Sequence, residues 1–155
     1  LVLLFYPLSG VNMTALNKQV DGSHYQKYKY QPVQYIMDLG MDFALGNAVK
    51  YLTRIGVDKD RGNIGIDKAI HYVEIFRDYW IDRDIYAIRC LEPDKLQTKI
   101  KEFTAQFSEP VAKAIKLISL LDNGSEFLGM WEAISPQKLE RACDSVISHL
   151  QTLKD

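Results

Sequence analysis

The sequence predicts an all-α protein, and three observations support this fold class. Apolar residues recur at intervals of three and four over most of the chain, which is the spacing of one face of a helix. Proline and glycine fall where such stretches begin and end, as at Pro32 and Gly40. No segment shows the sustained period-two alternation of a half-buried strand. We therefore expect a compact helical domain of about three helices plus a C-terminal helical extension, with little or no sheet.

The first predicted helix runs from Pro32 to Leu39, because proline suits a first helical turn and Gly40 suits the residue just past the end. We expect Val33, Ile36 and Met37 to be its buried residues. A second helix should begin near Asp42, a good N-cap, and end at Gly56. Its apolar face consists of Leu45, Ala48, Val49, Leu52 and Ile55.

A long third helix is expected from about Gly65 to about Arg89. Its core stripe comprises Ile66, Ala69, Ile70, Val73, Phe76 or Arg77, and Trp80. A further helix should begin at Pro93 and reach about Phe107, and others should begin after Ser108, Ser125 and Ser135. The last of these carries an apolar stripe made of Leu139, Ala142, Cys143, Val146, Ile147 and Leu150.

Three segments follow from this pattern. They are an N-terminal segment at 1–22, a helical domain at 23–91 and a helical extension at 92–155. We interpret Met13 as a natural start that follows upstream translated or added sequence; the alternative is a genuine N-terminal strand or anchor. The opening apolar run is too short for a membrane span and lacks the basic start of a signal peptide.

Charge and cysteine content argue against non-specific nucleic-acid binding, a disulfide framework and a zinc site. The net charge is −1, from 19 basic and 20 acidic residues, so no overall field favours non-specific nucleic-acid binding. The two cysteines, Cys90 and Cys143, lie in amphipathic stretches without CxxC or Cys/His spacing. We expect buried free thiols, which suit a reducing cytoplasm, and no disulfide, zinc site or membrane association.

A polar stripe on the second helix is the first candidate for function. Asn47, Lys50, Tyr51 and Arg54 fall within a sector of roughly 100°, opposite the apolar face. Two cations, an amide and a phenol can bind a phosphate and hold a base or sugar beside it. The alternative is a solvated face with two ordinary cations. Gly46, inside this helix, suggests the close approach of another helix or a ligand.

A second candidate lies on the third helix, where Lys68, His71 and Tyr72 share a face. His71 and Glu74 have the spacing of half a metal site, but two ligands are too few, and we expect no metal site. His71 is otherwise a surface histidine, or one that contacts a phosphate or moves a proton. The pair His24 and Tyr25 either closes over a ligand or packs its segment on the core.

Common catalytic motifs are absent from the sequence. There is no GxxxxGK[ST], GxGxxG, GxSxG or HExxH, which excludes a Walker-type phosphate loop. Glu74, Asp78 and Asp82 approach the acidic spacing of a helical nucleotide pyrophosphohydrolase, but the second helix offers cations where that chemistry needs acids.

Four separated motifs, within residues 23–79, resemble the phage T-seven-type nucleotide kinase family of small phage proteins. They are His24-Tyr25, Gln31-Pro-Val-Gln-Tyr-Ile36, Gly46-Asn-Ala-Val-Lys-Tyr-Leu-Thr-Arg54 and Asp67-Lys-Ala-Ile-His-Tyr72. The resemblance implies phosphorylation of deoxynucleoside monophosphates, notably dTMP and dGMP, with ATP and Mg²⁺ as donor. It also implies a site made of His24, Tyr25, Asn47, Lys50, Tyr51, Arg54, Lys68 and Tyr72. Residues 92–155 depart from the family pattern, so activity does not follow from the resemblance alone.

Three hypotheses follow for a protein of phage or prophage origin. In a kinase, Lys50 and Arg54 would hold phosphoryl oxygens and His71 or His24 would position the acceptor, while the remaining site residues bind the substrate. A nucleotide-sequestering, anti-defence protein would need the same cations and aromatics without transfer chemistry. A helical host-interaction protein would use the C-terminal helices instead. For any of these, the size and amphipathic helices of the chain favour a homo-oligomer.

Overall fold

The computed structural model describes residues 14–18, 24–56, 62–83, 91–123 and 135–154. Within these ranges the chain forms six α-helices and a short 3₁₀ turn at Thr14–Asn17, with no strand, which confirms the all-α prediction. The helices are α1 (Pro32–Leu39), α2 (Phe43–Leu52), α3 (Gly62–Ile81), α4 (Pro93–Thr104), α5 (Glu109–Asn123) and α6 (Pro136–Gln151). None of these helices is both long enough and apolar enough to cross a membrane.

The helix ends agree closely with the predicted caps. Gly40 ends α1 in the left-handed region at φ 59°, where glycine is favoured over residues with a Cβ. The Asp42 carboxylate accepts a hydrogen bond from the Ala44 backbone N–H at 2.8 Å and so caps α2. The Ser135 side chain caps α6 in the same way, accepting from the Lys138 N–H.

Several helix boundaries differ from expectation, and one predicted helix falls outside the described residues. α2 ends at Leu52 rather than at Gly56, so Arg54 lies in the turn that follows this helix. α3 begins at Gly62 rather than near Gly65 and ends at Ile81 rather than near Arg89, with Asp82 and Arg83 in a turn before the residues that are not described. α4 ends at Thr104, before the expected Phe107, because the chain turns there through a Phe107 N–H to Thr104 carbonyl bond. The helix expected after Ser125 lies outside the described residues.

The predicted buried face of α1 is wrong. Val33 and Met37 are 46% and 70% exposed, Ile36 is only partly buried, and the buried positions are instead Pro32, Tyr35 and Leu39. The Tyr35 ring stacks on Phe103 of α4 with ring centres 4.0 Å apart. Burying this ring removes more apolar area from water than burying Val33 or Met37 would, and its hydroxyl finds a hydrogen bond inside the protein.

The stripes predicted for α2, α3 and α6 do form the core. The buried residues of these helices include Leu45, Ala48, Val49, Leu52, Ile66, Ala69, Ile70, Val73, Phe76, Leu139, Ala142, Cys143, Val146, Ile147 and Leu150. Ile55 and Trp80, which were also expected in these stripes, are only partly buried against the core, and of the alternatives Phe76 and Arg77 it is Phe76 that is buried. Cys143 is a buried free cysteine as predicted, and burial raises the pKa of its thiol to about 12. Cys90 lies outside the described residues.

Helices on both sides of the expected divide at residue 91 contribute to one hydrophobic core. α6 packs antiparallel along α3, as two ion pairs show. Arg77, late in α3, donates from Nη1 to Asp144 in the middle of α6 at 2.9 Å. Lys154, just past the end of α6, pairs with Asp67 near the start of α3. This packing supports α3 from one side, and α2 lies against α3 as its other main neighbour.

Candidate functional site

The junction between α2 and α3 brings the two predicted polar stripes together. Gly65, in the first turns of α3, lies against the last turn of α2, and a Cβ there would be 3.5 Å from the Tyr51 carbonyl oxygen. Leu52 of α2 and Ile66 of α3 are both buried in the hydrophobic core. The close approach therefore holds Tyr51 and its neighbours beside the residues of α3 that follow Gly65.

An aromatic pair spans this junction. The rings of Tyr51 on α2 and Tyr72 on α3 stack with centres 5.8 Å apart and planes inclined by 22°. Both side chains are half-buried and pack on the core. The pair is thus fixed by packing, and it offers a partly exposed aromatic surface at the junction.

Two ammonium groups lie near the Tyr51 ring. The Lys68 Nζ is 5.1 Å from the ring centre and the Lys50 Nζ is 5.5 Å from it, both within the range of cation–π attraction. Among the described residues, neither ammonium has a carboxylate within ion-pair distance. The two lysines therefore form a local concentration of positive charge in a protein whose net charge is only −1.

Arg54 joins this group from the end of α2. Together with Tyr51, Ile64, Gly65 and Lys68 it lines a small cavity of about 30 Å³. Arg54, in the turn after α2, and Lys68, on α3, thus line the same cavity. Sequence reasoning did not include Ile64 and Gly65, although the spacing of Gly65 and Lys68, three residues apart on one helix, is a signal that they share a face.

The segment before α1 is fixed against α2 and α4. Tyr28 Oη donates to the Thr53 carbonyl at 2.6 Å, just past the end of α2. The Gln106 side chain accepts from the Tyr30 N–H at 3.1 Å and donates to the Tyr30 carbonyl at 3.0 Å. These bonds hold the segment over the C-terminal end of α2, where Arg54 lies.

Tyr25 and His24 lie at the front of this segment. Burial raises the pKa of the Tyr25 hydroxyl, and the nearby Arg54 guanidinium opposes that rise. The His24 ring packs edge-on against the Tyr25 ring with centres 5.6 Å apart. The structure therefore brings Tyr25 and His24 to the side of the junction occupied by Arg54.

His71 and Asn47 are at the margin of the group. The His71 side chain is 70% exposed, and its Nδ1 lies 3.6 Å from a Glu74 carboxylate oxygen. Its ring is tilted beside Tyr72 with centres 6.5 Å apart. Asn47 Nδ2 donates to the Phe43 carbonyl at 2.8 Å, one turn earlier on α2, so this donor is used within its own helix.

Gly46 is explained by helix packing. A Cβ at Gly46 would lie 2.9 Å from the Ile36 Cγ2 of α1, closer than real side chains pack. Of the two alternatives left by the sequence, close approach of a helix accounts for this glycine.

Two other clefts have different character. An apolar cleft of about 290 Å³ lies between the start of α2 and the second half of α3, beside the 80% exposed Phe43. A polar groove of about 560 Å³ lies between α1 and α4. In that groove Asp38 already accepts hydrogen bonds from Tyr30 Oη at 2.6 Å and Lys99 Nζ at 2.7 Å. Neither cleft collects the residues predicted for function, and within the described ranges no three His, Cys, Asp or Glu side chains gather as a metal site would require.

Comparisons of the chain with protein families, with curated proteins and with solved structures found no match. The resemblance to the nucleotide kinases therefore stays a prediction based on the four sequence motifs.

Proposed function

We propose that this chain is a nucleotide-binding protein of a phage or prophage, and that it is a nucleoside monophosphate kinase acting on dTMP and dGMP without a Walker loop. The observation that carries the proposal is the group of two lysine ammoniums around the stacked Tyr51–Tyr72 pair. A nucleotide combines a flat base with a charged phosphate, and this surface combines an aromatic face with cations.

The residues divide between the two ends of such a ligand. A base stacked on the Tyr51–Tyr72 pair would gain roughly 1–3 kcal/mol, whatever its identity, because every base has a π-face. Lys50, Lys68 and Arg54 would contact phosphoryl oxygens, the lysines as compact charges and the arginine through its planar fork. His24 and Tyr25 would cover the ligand from the preceding segment, and Asn47 would contact it from the side.

Phosphoryl transfer asks mainly for positioning and charge neutralisation, which cations supply. An oxygen of the monophosphate would attack the γ-phosphorus of ATP, the bond from that phosphorus to the β–γ bridging oxygen would break, and ADP would leave. Lys50 and Arg54 would hold the transferred group, His71 would contact the acceptor, and Mg²⁺ would arrive with ATP. We place this activity in the host cytoplasm and in a homo-oligomer.

The test is product formation by the purified chain. Incubation with ATP, Mg²⁺ and dTMP or dGMP should yield ADP and the deoxynucleoside diphosphate, separable by anion-exchange chromatography. Lys50→Ala and Arg54→Ala variants that stay folded should lose most of this product. In parallel, a nucleotide at 100 times its dissociation constant should stabilise the fold by roughly 2.7 kcal/mol.

The outcomes separate the hypotheses. Stabilisation with no diphosphate, and with intact nucleotide recovered after heating, would replace the kinase with a nucleotide-sequestering protein. No stabilisation by any nucleotide and no product would reject nucleotide binding and leave the host-interaction hypothesis.

A further inference from the structure

One hydroxyl beside the proposed site has no acceptor among the described residues. The Tyr25 hydroxyl is buried, and the Arg54 guanidinium lies close enough to lower its pKa through its charge and as a hydrogen-bond donor, but the described part of the chain offers the hydroxyl proton no acceptor. A buried hydroxyl without a partner costs free energy, so most such groups in proteins are satisfied. The other tyrosine hydroxyls of this segment follow the rule, because Tyr28 donates to Thr53 and Tyr30 donates to Asp38.

The position of this hydroxyl is set by its surroundings. The segment that carries Tyr25 is held by the Tyr28 and Gln106 hydrogen bonds, so the ring is kept next to Arg54. Arg54 also lines the small cavity that Tyr51 and Lys68 line. Arg54 already has contacts in the protein. Its long side chain has several rotatable bonds, and we expect its guanidinium to exchange those contacts for a bound anion and so make the hydroxyl accessible.

We propose that the Tyr25 hydroxyl donates a hydrogen bond to a phosphoryl oxygen of the ligand, beside the Arg54 guanidinium, and so recognises the phosphate end of a nucleotide rather than its base. This inference rests on the nucleotide-binding role proposed above. Binding then supplies the acceptor that none of the described residues offers this hydroxyl, and the segment at 24–30 acts as a phosphate-recognition element.

The experiment compares Tyr25→Phe with Tyr30→Phe in the full chain. Both changes remove one hydroxyl from the same segment, but the Tyr30 hydroxyl is already bonded to Asp38, away from the α2–α3 junction. Dissociation constants for dTMP, thymidine and inorganic phosphate are measured by calorimetry, and stability by urea unfolding without ligand.

We expect Tyr25→Phe to bind dTMP and inorganic phosphate about tenfold to a hundredfold more weakly, which is the range for a hydrogen bond to a charged group. Its thymidine affinity and its unfolding midpoint should not fall. Tyr30→Phe should show the opposite pattern, with a lower unfolding midpoint and unchanged affinities.

Three results would overturn the inference. Equal dTMP affinity for the wild type and Tyr25→Phe would remove the hydroxyl from the site and leave nucleotide binding intact. Equal losses for dTMP and thymidine would assign Tyr25 to the base. A wild-type chain that binds none of the three compounds would overturn the proposed function together with this inference.

Discussion

The Lys68 ammonium of α3 lies 5.1 Å from the centre of the Tyr51 ring of α2. This contact joins the two polar stripes, which are separated along the chain by the residues between α2 and α3. The Lys50 ammonium lies near the same ring at 5.5 Å, so one phenol is the common neighbour of a cation from each helix. The proposed nucleotide site depends on this arrangement, and the predictions below test the arrangement and the fold that holds it.

The Tyr51–Tyr72 pair should supply the base-stacking surface. Tyr72→Leu keeps an apolar side chain on the core but removes the aromatic face. We expect this change to make the binding free energy of dTMP less favourable by roughly 1–3 kcal/mol. Tyr72→Phe retains the face and should bind nearly as well as the wild type. Calorimetry with dTMP and with inorganic phosphate separates the two ends of the ligand, and a loss of phosphate affinity equal to the loss of dTMP affinity would contradict a stacking role.

Gly46 and Gly65 should respond in opposite ways to the same substitution. Gly46→Ala places a Cβ 2.9 Å from Ile36 Cγ2, and we expect overpacking of about 1–3 kcal/mol to exceed the helix-propensity gain of about 1 kcal/mol. Gly65→Ala meets its nearest atom at 3.5 Å, an ordinary contact, and should raise stability by up to about 1 kcal/mol.

Urea unfolding measures both glycine variants. The loss caused by Gly46→Ala should shrink in an Ile36→Ala background, because that change removes the Cγ2 that the new Cβ would meet. A Gly46→Ala protein as stable as the wild type would show that α1 moves away without cost.

The Asp38 carboxylate should make stability depend on acid pH. Burial pushes the pKa of Asp38 upward, but hydrogen bonds from Lys99 and Tyr30 outweigh burial and hold it below the ordinary 3.8. The folded state thus favours the ionised form, so this stabilisation is present above about pH 4 and is lost as the pH falls through the folded pKa. Because the side chain is 42% exposed, the effect should be below about 1 kcal/mol.

Urea unfolding of the wild type and Asp38→Asn at a series of pH values tests this. The difference in stability should be largest near neutrality and should shrink between about pH 5 and pH 2. Lys99→Met should weaken the same pH dependence. A stability difference between the wild type and Asp38→Asn that grows as the pH falls would contradict a lowered pKa for Asp38.

α6 should unfold together with α3. Leu150 is fully buried, and Leu150→Ala should destabilise the protein by about 2–5 kcal/mol through lost burial and a cavity. In a Trp131→Phe background, Trp80 on α3 is the tryptophan whose fluorescence follows unfolding. Leu150→Ala should lower the urea midpoint measured by Trp80 fluorescence and the midpoint measured by circular dichroism by the same amount. Gln151→Ala, on the exposed side of α6, should change stability by less than about 0.5 kcal/mol. If Leu150→Ala leaves the midpoint measured by Trp80 fluorescence unchanged, α3 and α6 unfold independently.

Local chemistry made part of the fold predictable. The ends of α1, α2 and α6 follow from Gly40, Asp42 and Ser135, whose capping preferences depend only on neighbouring residues. The buried face of α1 was not predictable in this way. Two apolar stripes fit an eight-residue helix, and the choice is made by Phe103 and by the Tyr35–Ser119 hydrogen bond, which spans 84 positions in the sequence.

In the candidate site, too, local spacing was predictable and tertiary contacts were not. Helical spacing predicts that Lys50, Tyr51 and Arg54 share one stripe and that Lys68 and Tyr72 share another. Spacing within one helix contains no information on which stripes meet. The close approach at Gly65 and the placement of Tyr25 beside Arg54 arise from tertiary packing, so they required the structure.

Calorimetric titration of dTMP and dGMP into three proteins measures how much Lys68 contributes to nucleotide binding. They are the wild type, Lys68→Ala, and Lys95→Ala, which removes an exposed lysine from the first turns of α4. We expect binding to the wild type, at least roughly tenfold weaker binding to Lys68→Ala, and unchanged binding to Lys95→Ala. Equal affinities for the wild type and Lys68→Ala, or no binding to the wild type, would contradict this expectation.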